Sequence, residues 1–535
     1  MDCCNGLGGN KMSNKKNGIS EIINHRNSLR FKLVGEATII GALVGIVIVL
    51  NRILITKLSP LFKNLYSDAS GSFLNVLKVL CVVTVVGIIV GIMVKKEPMI
   101  SGSGIPQLEG VLGRKIKINW LKVLVYKFLG GILSLSAGLS VGREGPSVQM
   151  GGAVGEGFSK VFKRINIEEK FLITSGASAG LSAAFNAPLS GVIFALEEVH
   201  KNFSPLVLLS AMASSLAADF VCKQFLGLEP AMSFKNVDVF PLKYYWLLLI
   251  MGVFVGISGM IFNKGLLKSQ DIYGKLKKVP VEVKVAIPFL CAAVVGIISP
   301  ILLGGGHDLI MSLVNEGFTL KILIIFLLVK FIFTFVSFGS GAPGGIFFPL
   351  LVLGALVGNI FGVIVCNAFG LPSEYIVNFI ILAMAGHFAA IVKAPITGII
   401  LITEMTGSFE HMLALAFVVI ISYLTADILK SEPIYESLLE RVLKNNKREA
   451  VLQKGNKTLI EVAVFMGSII EGKYLKEVDW PADCLLVAIK RGDKEIIPKG
   501  NTKIESGDFL VVLVAEDRVS QVLEEIERIA TKVVG

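Results

Sequence analysis

From position 33 onward the chain alternates long apolar stretches with short polar or glycine-rich breaks. LVGEATIIGALVGIVIVL (33–50), VLKVLCVVTVVGIIVGIMV (76–94), WLLLIMGVFVGISGMIF (246–262), VAIPFLCAAVVGIISPILL (285–303) and ILIIFLLVKFIFTFVSF (322–338) approach the roughly 20 residues a helix needs to cross a bilayer. Roughly ten or more candidate spans precede position 445, many short or broken by Gly and Pro. The pattern predicts a polytopic bundle of helices. After RVLKNNKREAV (441–451) the period changes. TLIEVAVF (458–465), CLLVAIKRG (484–492), KEIIP (494–498) and DFLVVLVA (508–515) read as strands, with turns at Arg491–Asp493 and Ser506–Asp508. DRVSQVLEEIERIATK (517–532) has helical spacing, with Asp517 as a cap. The expected fold class is an all-α membrane protein followed by a small α+β domain, divided as 1–32, 33–446 and 450–535.

Composition agrees with membrane embedding. Charged residues are 17% of the chain and hydrophobic residues 53%, against about 25% charged in soluble proteins. The net charge of +11 suits anionic lipid headgroups and does not call for nucleic acid. Residues 1–32 lack the apolar core of a signal peptide, and their lysines and arginines favour the cytoplasmic side. The seven cysteines form no CxxC and mostly sit in apolar runs, while Cys3 and Cys4 belong to what reads as a mobile tail. No HExxH, phosphate-binding P-loop or GxSxG is present, and the five histidines have no ligand-like spacing. Neither hydrolase chemistry nor ATP-driven pumping has support, and no metal or cofactor is expected.

Three pairs of segments recur in the same order. GSGIP (102–106) returns as GSGAP (339–343), PSVQMGGAVGEGF (146–158) as PLLVLGALVGNIF (349–361), and NAPLSGVIFALEE (186–198) as KAPITGIILITEM (393–405). A duplicated membrane architecture places its site near the midplane, where broken helices point their ends inward. GSGIPQ, GREGPSV and GAPGGIFFP each follow glycines with a proline suited to a first helical turn. The amides at a helix start are unpaired and carry partial positive charge. Three such ends meeting would cradle an anion without a full positive charge. Within GREGP, Glu144 is an acid at membrane depth, where carboxylates are costly and default to function.

GSGIPQLEG (102–110), GREGPSVQMGG (142–152), NAPLSGVIFALEE (186–198) and GSGAPGGIFFPLL (339–351) resemble the signature segments of the CLC family of chloride channels and proton-coupled chloride transporters. The resemblance covers residues 33–446. It implies a homodimer in the cell membrane with cytoplasmic termini, each subunit an inverted repeat of short tilted helices with its own ion path. Ser103 matches the serine that coordinates the central anion, beside Gly104. Ile346 and Phe347 match positions whose amides contribute, and Tyr435 in SEPIYESLL matches the tyrosine closing the inner side. Glu144 matches the gating glutamate and Glu198 the inner proton-relay glutamate. Arg143 and Glu197 are accessory candidates, Arg143 for potential at the entrance or, equally, for a lipid-headgroup or carbonyl contact, and Glu197 for proton access. Glu109 reads as structural near the subunit contact, Glu404 as locally paired and Lys393 as snorkelling.

Chloride and protons are then the substrates. The presence of Glu198 favours an antiporter over a passive channel of the same fold, which stays the alternative; a non-transporting receptor or scaffold is remoter. The tail from Gly472 to Leu513 resembles the C-terminal lobe of the RCK potassium-regulatory module, on its RGDKEIIPKGNT and ESGD segments. That resemblance implies a dimerising regulatory lobe whose cleft would take a small cytoplasmic nucleotide.

Overall fold

A computed structural model describes residues 10–228, 232, 234, 237–446, 457–482, 484–492, 494–515 and 518–531. They form two compact units, one helical and one built on a sheet. The helical unit opens with α1 (Asn10–Ser67), in which no proline intervenes before Pro60. Residues 10–32, expected as a separate segment, are therefore the start of this helix, whose part from Arg30 is apolar and long enough to cross a membrane. Cys3 and Cys4 lie outside the described residues.

The next seven helices are α2 (Phe73–Lys96), α3 (Ile105–Leu112), α4 (Trp120–Ser136), α5 (Glu144–Val161), α6 (Asn166–Phe185), α7 (Pro188–Phe194) and α8 (Pro205–Leu226). Eight more follow: α9 (Tyr245–Lys275), α10 (Val281–Ile298), α11 (His307–Asn315), α12 (Leu320–Gly339), α13 (Phe347–Phe369), α14 (Tyr375–Val392), α15 (Pro395–Thr406) and α16 (Met412–Ile428). A last helix, α17 (Ile434–Asn446), carries Tyr435 in its first turn. Eight helices of the described residues are long and apolar enough to span a bilayer, with α15 and α16 shorter. The apolar run expected to reach position 303 stops at Ile298, because Ser299 is extended ahead of Pro300.

Helices α1–α8 and α9–α16 form two repeats of one plan. A 3₁₀ turn, Pro98–Ile100 in one and Pro300–Leu302 in the other, leads into α3 and α11. The following loops carry left-handed glycines in register: Gly102 and Gly104 at φ 63° and 92°, Gly304 and Gly306 at 66° and 103°. In each repeat a fully buried lysine straps its loop. Lys127 donates to the carbonyls of Ile100 and Gly102 at 2.8 and 2.7 Å, and Lys330 to those of Leu302 and Gly304 at 3.0 and 2.7 Å. The counterpart of GSGIP is thus GGGHD (304–308), and the expected pairing with GSGAP is corrected. GSGAP instead lies against GSGIP, with Gly102 N–H donating to Gly341 O at 3.4 Å and Gly344 N–H to Gly102 O at 3.0 Å.

Close packing within each repeat relies on glycine. A Cβ at Gly151 of α5 would lie 2.1 Å from the Gly176 carbonyl oxygen of α6, and one at Gly180 of α6 would lie 2.2 Å from the Ser147 oxygen. In the second repeat, a Cβ at Gly358 of α13 would stand 2.3 Å from the Phe379 oxygen of α14. Membrane helices gain little from burying one apolar face against another in lipid, so backbone approach of this kind supplies the packing.

The smaller unit is an antiparallel sheet in the order β1-β4-β2-β3, with β1 (Lys457–Ala463), β2 (Cys484–Arg491), β3 (Lys494–Ile496) and β4 (Phe509–Ala515). Helix α18 (Val519–Thr531) packs Val522 and Ile526 with Leu510, Val512 and Val514 of β4. All four expected strands and the helix are present; Asp493 and the expected cap Asp517 lie outside the described residues. Arg491 binds the fully buried Asp508 through Nε and Nη2 at 2.8 and 2.9 Å, and Glu505 at 2.7 Å. This side chain holds the ESGD turn.

Gly151→Val places a branched side chain against backbone that cannot swing away, so its cost should sit at or above the upper end of the roughly 1–3 kcal/mol typical of overpacking. Gly131→Ala in α4, where nothing lies within 4 Å of the new Cβ, should be neutral or slightly stabilising. Thermal unfolding of the detergent-purified variants checks the contrast.

Candidate anion site

Three helix starts meet where the repeats join. Gly142 and Gly345 form an isolated antiparallel bridge, each N–H donating to the other's carbonyl at 2.7 Å. This bridge joins the loop entering α5 to the loop entering α13, and the Gly102 bonds bring in the loop entering α3. Ser103, Glu144, Ile346, Phe347 and Tyr435 are all buried here.

The Ser103 loop is held from several directions. Beyond the Lys127 strap, Gln107 donates to Ser101 O at 2.9 Å and Gln149 to Met99 O at 2.8 Å. Gly104 has no room for a side chain, since a Cβ would lie 2.3 Å from Gln149 Oε1. Gly145 is equally constrained: its Cβ would stand 2.4 Å from Ser103 Oγ. The hydroxyls of Ser103 and Tyr435 are buried near each other, and neither makes a well-formed hydrogen bond. Leaving a buried hydroxyl unpaired costs about 1–3 kcal/mol. Two such donors beside the first amides of α13 make a setting for an anion.

Aromatic rings wall this setting. Phe347 packs against Phe388, Phe185 and Phe194 with ring centroids 4.7, 5.2 and 5.7 Å apart, and Phe194 meets Tyr435 edge-on at 6.4 Å. The rings exclude water, which strengthens every electrostatic contact inside them.

Glu144 is the first residue of α5 and only 1% exposed. Its carboxylate folds back toward the amides of its own residue and of Phe348. A Cβ on Gly142 would lie 2.2 Å from Glu144 Oε2 and 3.1 Å from Phe348 N. Glycine at 142 is what lets the carboxylate reach the α13 terminus. Oε2 itself has no hydrogen-bond partner. The only ion pair of Glu144 among the described residues is a long one, Arg143 Nε to Oε1 at 3.9 Å. Arg143 also donates to Ala184 O at 3.2 Å.

Glu198 lies on a π-helical turn, Ala195–His200, which continues α7 and ends at left-handed Lys201. It is buried, and its Oε1 has no hydrogen-bond partner. Glu109 of α3 comes within electrostatic reach of it, so a residue expected at a subunit contact stands beside the inner acid. Lys201 pairs with Glu436 at 2.5 Å, tying the π turn to the residue after Tyr435.

The remaining acids have different work. Glu197 accepts from the Ile396 and Thr397 amides at 3.2 and 2.8 Å and from Thr397 Oγ1 at 2.7 Å, capping α15. Glu404, expected to pair locally, accepts from the Leu189 and Ser190 amides at 3.0 and 2.7 Å and from Ser190 Oγ at 2.5 Å, capping α7. Each repeat caps the other. Lys393 is bonded to Asp427 at 2.6 Å and lies over the Tyr423 ring, 4.6 Å from its centroid. No group of three or more His, Cys, Asp or Glu side chains suited to a metal occurs among the described residues.

Sequence reasoning missed the lysine straps and Arg52. Arg52 Nη1 donates to Ala183 O at 2.9 Å and to Asn186 Oδ1 at 2.6 Å, at the same end of α6 that Arg143 reaches. A lone arginine inside an apolar run was the available signal for it.

The family pattern described as voltage gated chloride channel matches residues 85–427, and that of the TrkA-C domain, an RCK C-terminal type of lobe, matches 459–527. The H(+)/Cl(-) exchange transporter ClcA of Vibrio campbellii is 34% identical over 443 residues, covering 81% of this chain and 94% of its own. The protein of the same name from Vibrio cholerae is 38% identical over 357 residues, covering 65% and 76%. A slow cyanobacterial Cl-/H+ antiporter of known structure superposes with a TM-score of 0.74 at 29% identity, covering 78% of this chain and 99% of that one. With its paired repeats, its three converging helix starts and these matches, the chain belongs to the CLC family of voltage-gated chloride channels and transporters.

Proposed function

We propose that the protein is a chloride/proton antiporter. The observation that carries this reading is the pair of buried hydroxyls, Ser103 and Tyr435, neither in a well-formed hydrogen bond, beside helix-start amides that an intramembrane carboxylate can also reach. The names of the similar transporters support the same substrates. Ser103, Gly104, Ile346, Phe347 and Tyr435 bind the central chloride: hydroxyl and amide donors suit an anion that must also leave, because none carries a full charge. The ionised Glu144 carboxylate competes for the amides that would hold chloride. A proton on one of its oxygens removes the charge, weakens that hold and frees the position, so proton and anion movement become linked. Glu198 passes protons between Glu144 and the opposite face. Its burial without a full complement of partners suits a group that exchanges a proton rather than one fixed in a structural pair.

The protein works as a homodimer in the cell membrane, with both termini cytoplasmic and residues 33–446 as the transport domain. Residues 450–535 form a regulatory lobe that pairs with its counterpart in the other subunit and binds a small cytoplasmic nucleotide. A nucleotide would act by its different affinity for two states of the paired lobes. Because α17 carries Tyr435 and precedes the lobe in the chain, such a shift would be felt at the inner closure of the site.

In proteoliposomes carrying a chloride gradient, Glu144→Ala should keep chloride flux and lose proton flux to the leak level; proton antiport at the wild-type ratio would remove Glu144 from the gate. Glu198→Gln should preserve chloride movement while proton flux falls to background. If coupled proton flux persists in that variant, the relay lies elsewhere. Deleting residues 450–535 should abolish any response of chloride flux to a panel of cytoplasmic nucleotides. Full-length and truncated proteins that behave identically toward every nucleotide would make the lobe passive.

A further inference from the structure

Glu198 is buried, so a proton that it trades needs a carrier that water can reach. Four charged groups stand within electrostatic reach of it: Glu109 of α3, Glu197 on its own turn, Lys201 at the end of that turn, and Glu436 of α17. The Tyr435 hydroxyl is also close. Of the three other carboxylates, two are unsuited to meeting water. Glu109 is 7% exposed, little more than Glu198 at 5%. Glu197 spends both oxygens on the start of α15. The Glu436 side chain, in contrast, is 53% exposed. Helix α17 is not among the helices apolar enough to span a bilayer, and it carries Glu440, Arg441 and Lys444 after Glu436, a composition that belongs in water.

The turn below Glu198 is shaped to bring a cation to this acid. Over Ala195–His200 the chain takes a π form, which occurs mostly as single turns and often at functional sites. It ends at Lys201 with φ 55°, a left-handed backbone that is costly for any residue with a Cβ. From there the Lys201 ammonium pairs with Glu436 at 2.5 Å and stays within reach of Glu109 and Glu198. An exposed ion pair adds little stability, so the pair alone does not account for the strained backbone. One ammonium among three carboxylates is a shared countercharge. A proton passing between Glu436 and Glu198 changes which of them the ammonium balances.

We propose that Glu436 is the proton carrier that loads Glu198 from solution, with Lys201 as the shared countercharge. The inference rests on the antiport reading above. A proton from bulk water bonds to a Glu436 oxygen, which leaves the ammonium to balance Glu198. The O–H bond at Glu436 then breaks as one forms at the unpaired Oε1 of Glu198, through intervening water. Glu436 is again a carboxylate beside Lys201, and the same steps in reverse unload Glu198.

The test is the ratio of protons to chloride moved by the full-length protein in proteoliposomes. Glu436→Gln should lower that ratio about tenfold, a modest share of what a positioned proton carrier supplies. Glu436→His removes the carboxylate partner of Lys201 just as fully, yet it restores a group that exchanges protons near neutral pH. Its ratio should return to within about twofold of wild type. A wild-type ratio in Glu436→Gln would overturn the carrier role. So would an equal fall in Glu436→His, which would make Glu436 an ion-pair partner only. Chloride and proton flux falling together in Glu436→Gln, at an unchanged ratio, would make the residue structural and overturns the role too. Wild-type vesicles that move chloride without protons would instead remove the antiport reading itself.

Discussion

The two hydrogen bonds between Gly142 and Gly345 join backbone to backbone at the point where the repeats meet. They fix how close the α5 and α13 starts come, and almost everything at the site depends on that spacing. A side chain on either glycine would disturb this arrangement. At Gly345 a Cβ would lie 3.0 Å from Gly145 N, and at Gly142 it would displace the Glu144 carboxylate. In an apolar surrounding an unpaired backbone group costs several kcal/mol. The bridge satisfies two donors and two acceptors of the loops while leaving the first amides of the helices free to face an ion. A site for an anion thus arises from backbone that has been paired selectively.

The loops around the bridge are held by buried charge used as structure. Lys127 and Lys330 each bind two carbonyls at a left-handed turn, where the chain has left the helix and has no ladder of its own. A buried cation without acceptors would be costly. Here each ammonium has two short ones, and each turn gains a clamp that a neutral side chain would not supply. Two acids serve similarly, since Glu197 and Glu404 spend both oxygens on helix-start amides. Glu144 and Glu198 differ by what they lack: each keeps a buried oxygen without a hydrogen bond.

Much of this was legible in the sequence. Apolar run length revealed the spans, alternation revealed the tail strands, and glycines ahead of prolines marked the three helix starts. The repeat was misread at one point for a chemical reason. GSGIP and GSGAP are alike in composition, yet they lie 339 − 102 = 237 residues apart, whereas Pro146 and Pro349 lie 349 − 146 = 203 apart. A spacing close to that, 304 − 102 = 202, leads to GGGHD (304–308), which shares with its counterpart only the glycines that positive φ demands. The exchanged caps were illegible because their partners stand some 200 positions away, at 397 − 197 = 200 and 404 − 190 = 214 residues, and a glutamate beside another glutamate carries no local mark of such a partner. Arg52 was passed over because an arginine in an apolar run reads first as interfacial.

The exchanged caps bear on how such a chain could have arisen. Glu197 of the first repeat closes α15 of the second, and Glu404 of the second closes α7 of the first. A chain of half the length, carrying one glutamate and one short helix, could not satisfy its own amides by this bond. It could do so by meeting a second copy of itself about a two-fold axis, each copy capping its mate. Fusion of two such copies would convert an association between molecules into a contact within one. The caps would then be the seam of that fusion, and afterwards the halves could diverge, one keeping Glu144 at its helix start while the other placed Phe347 there.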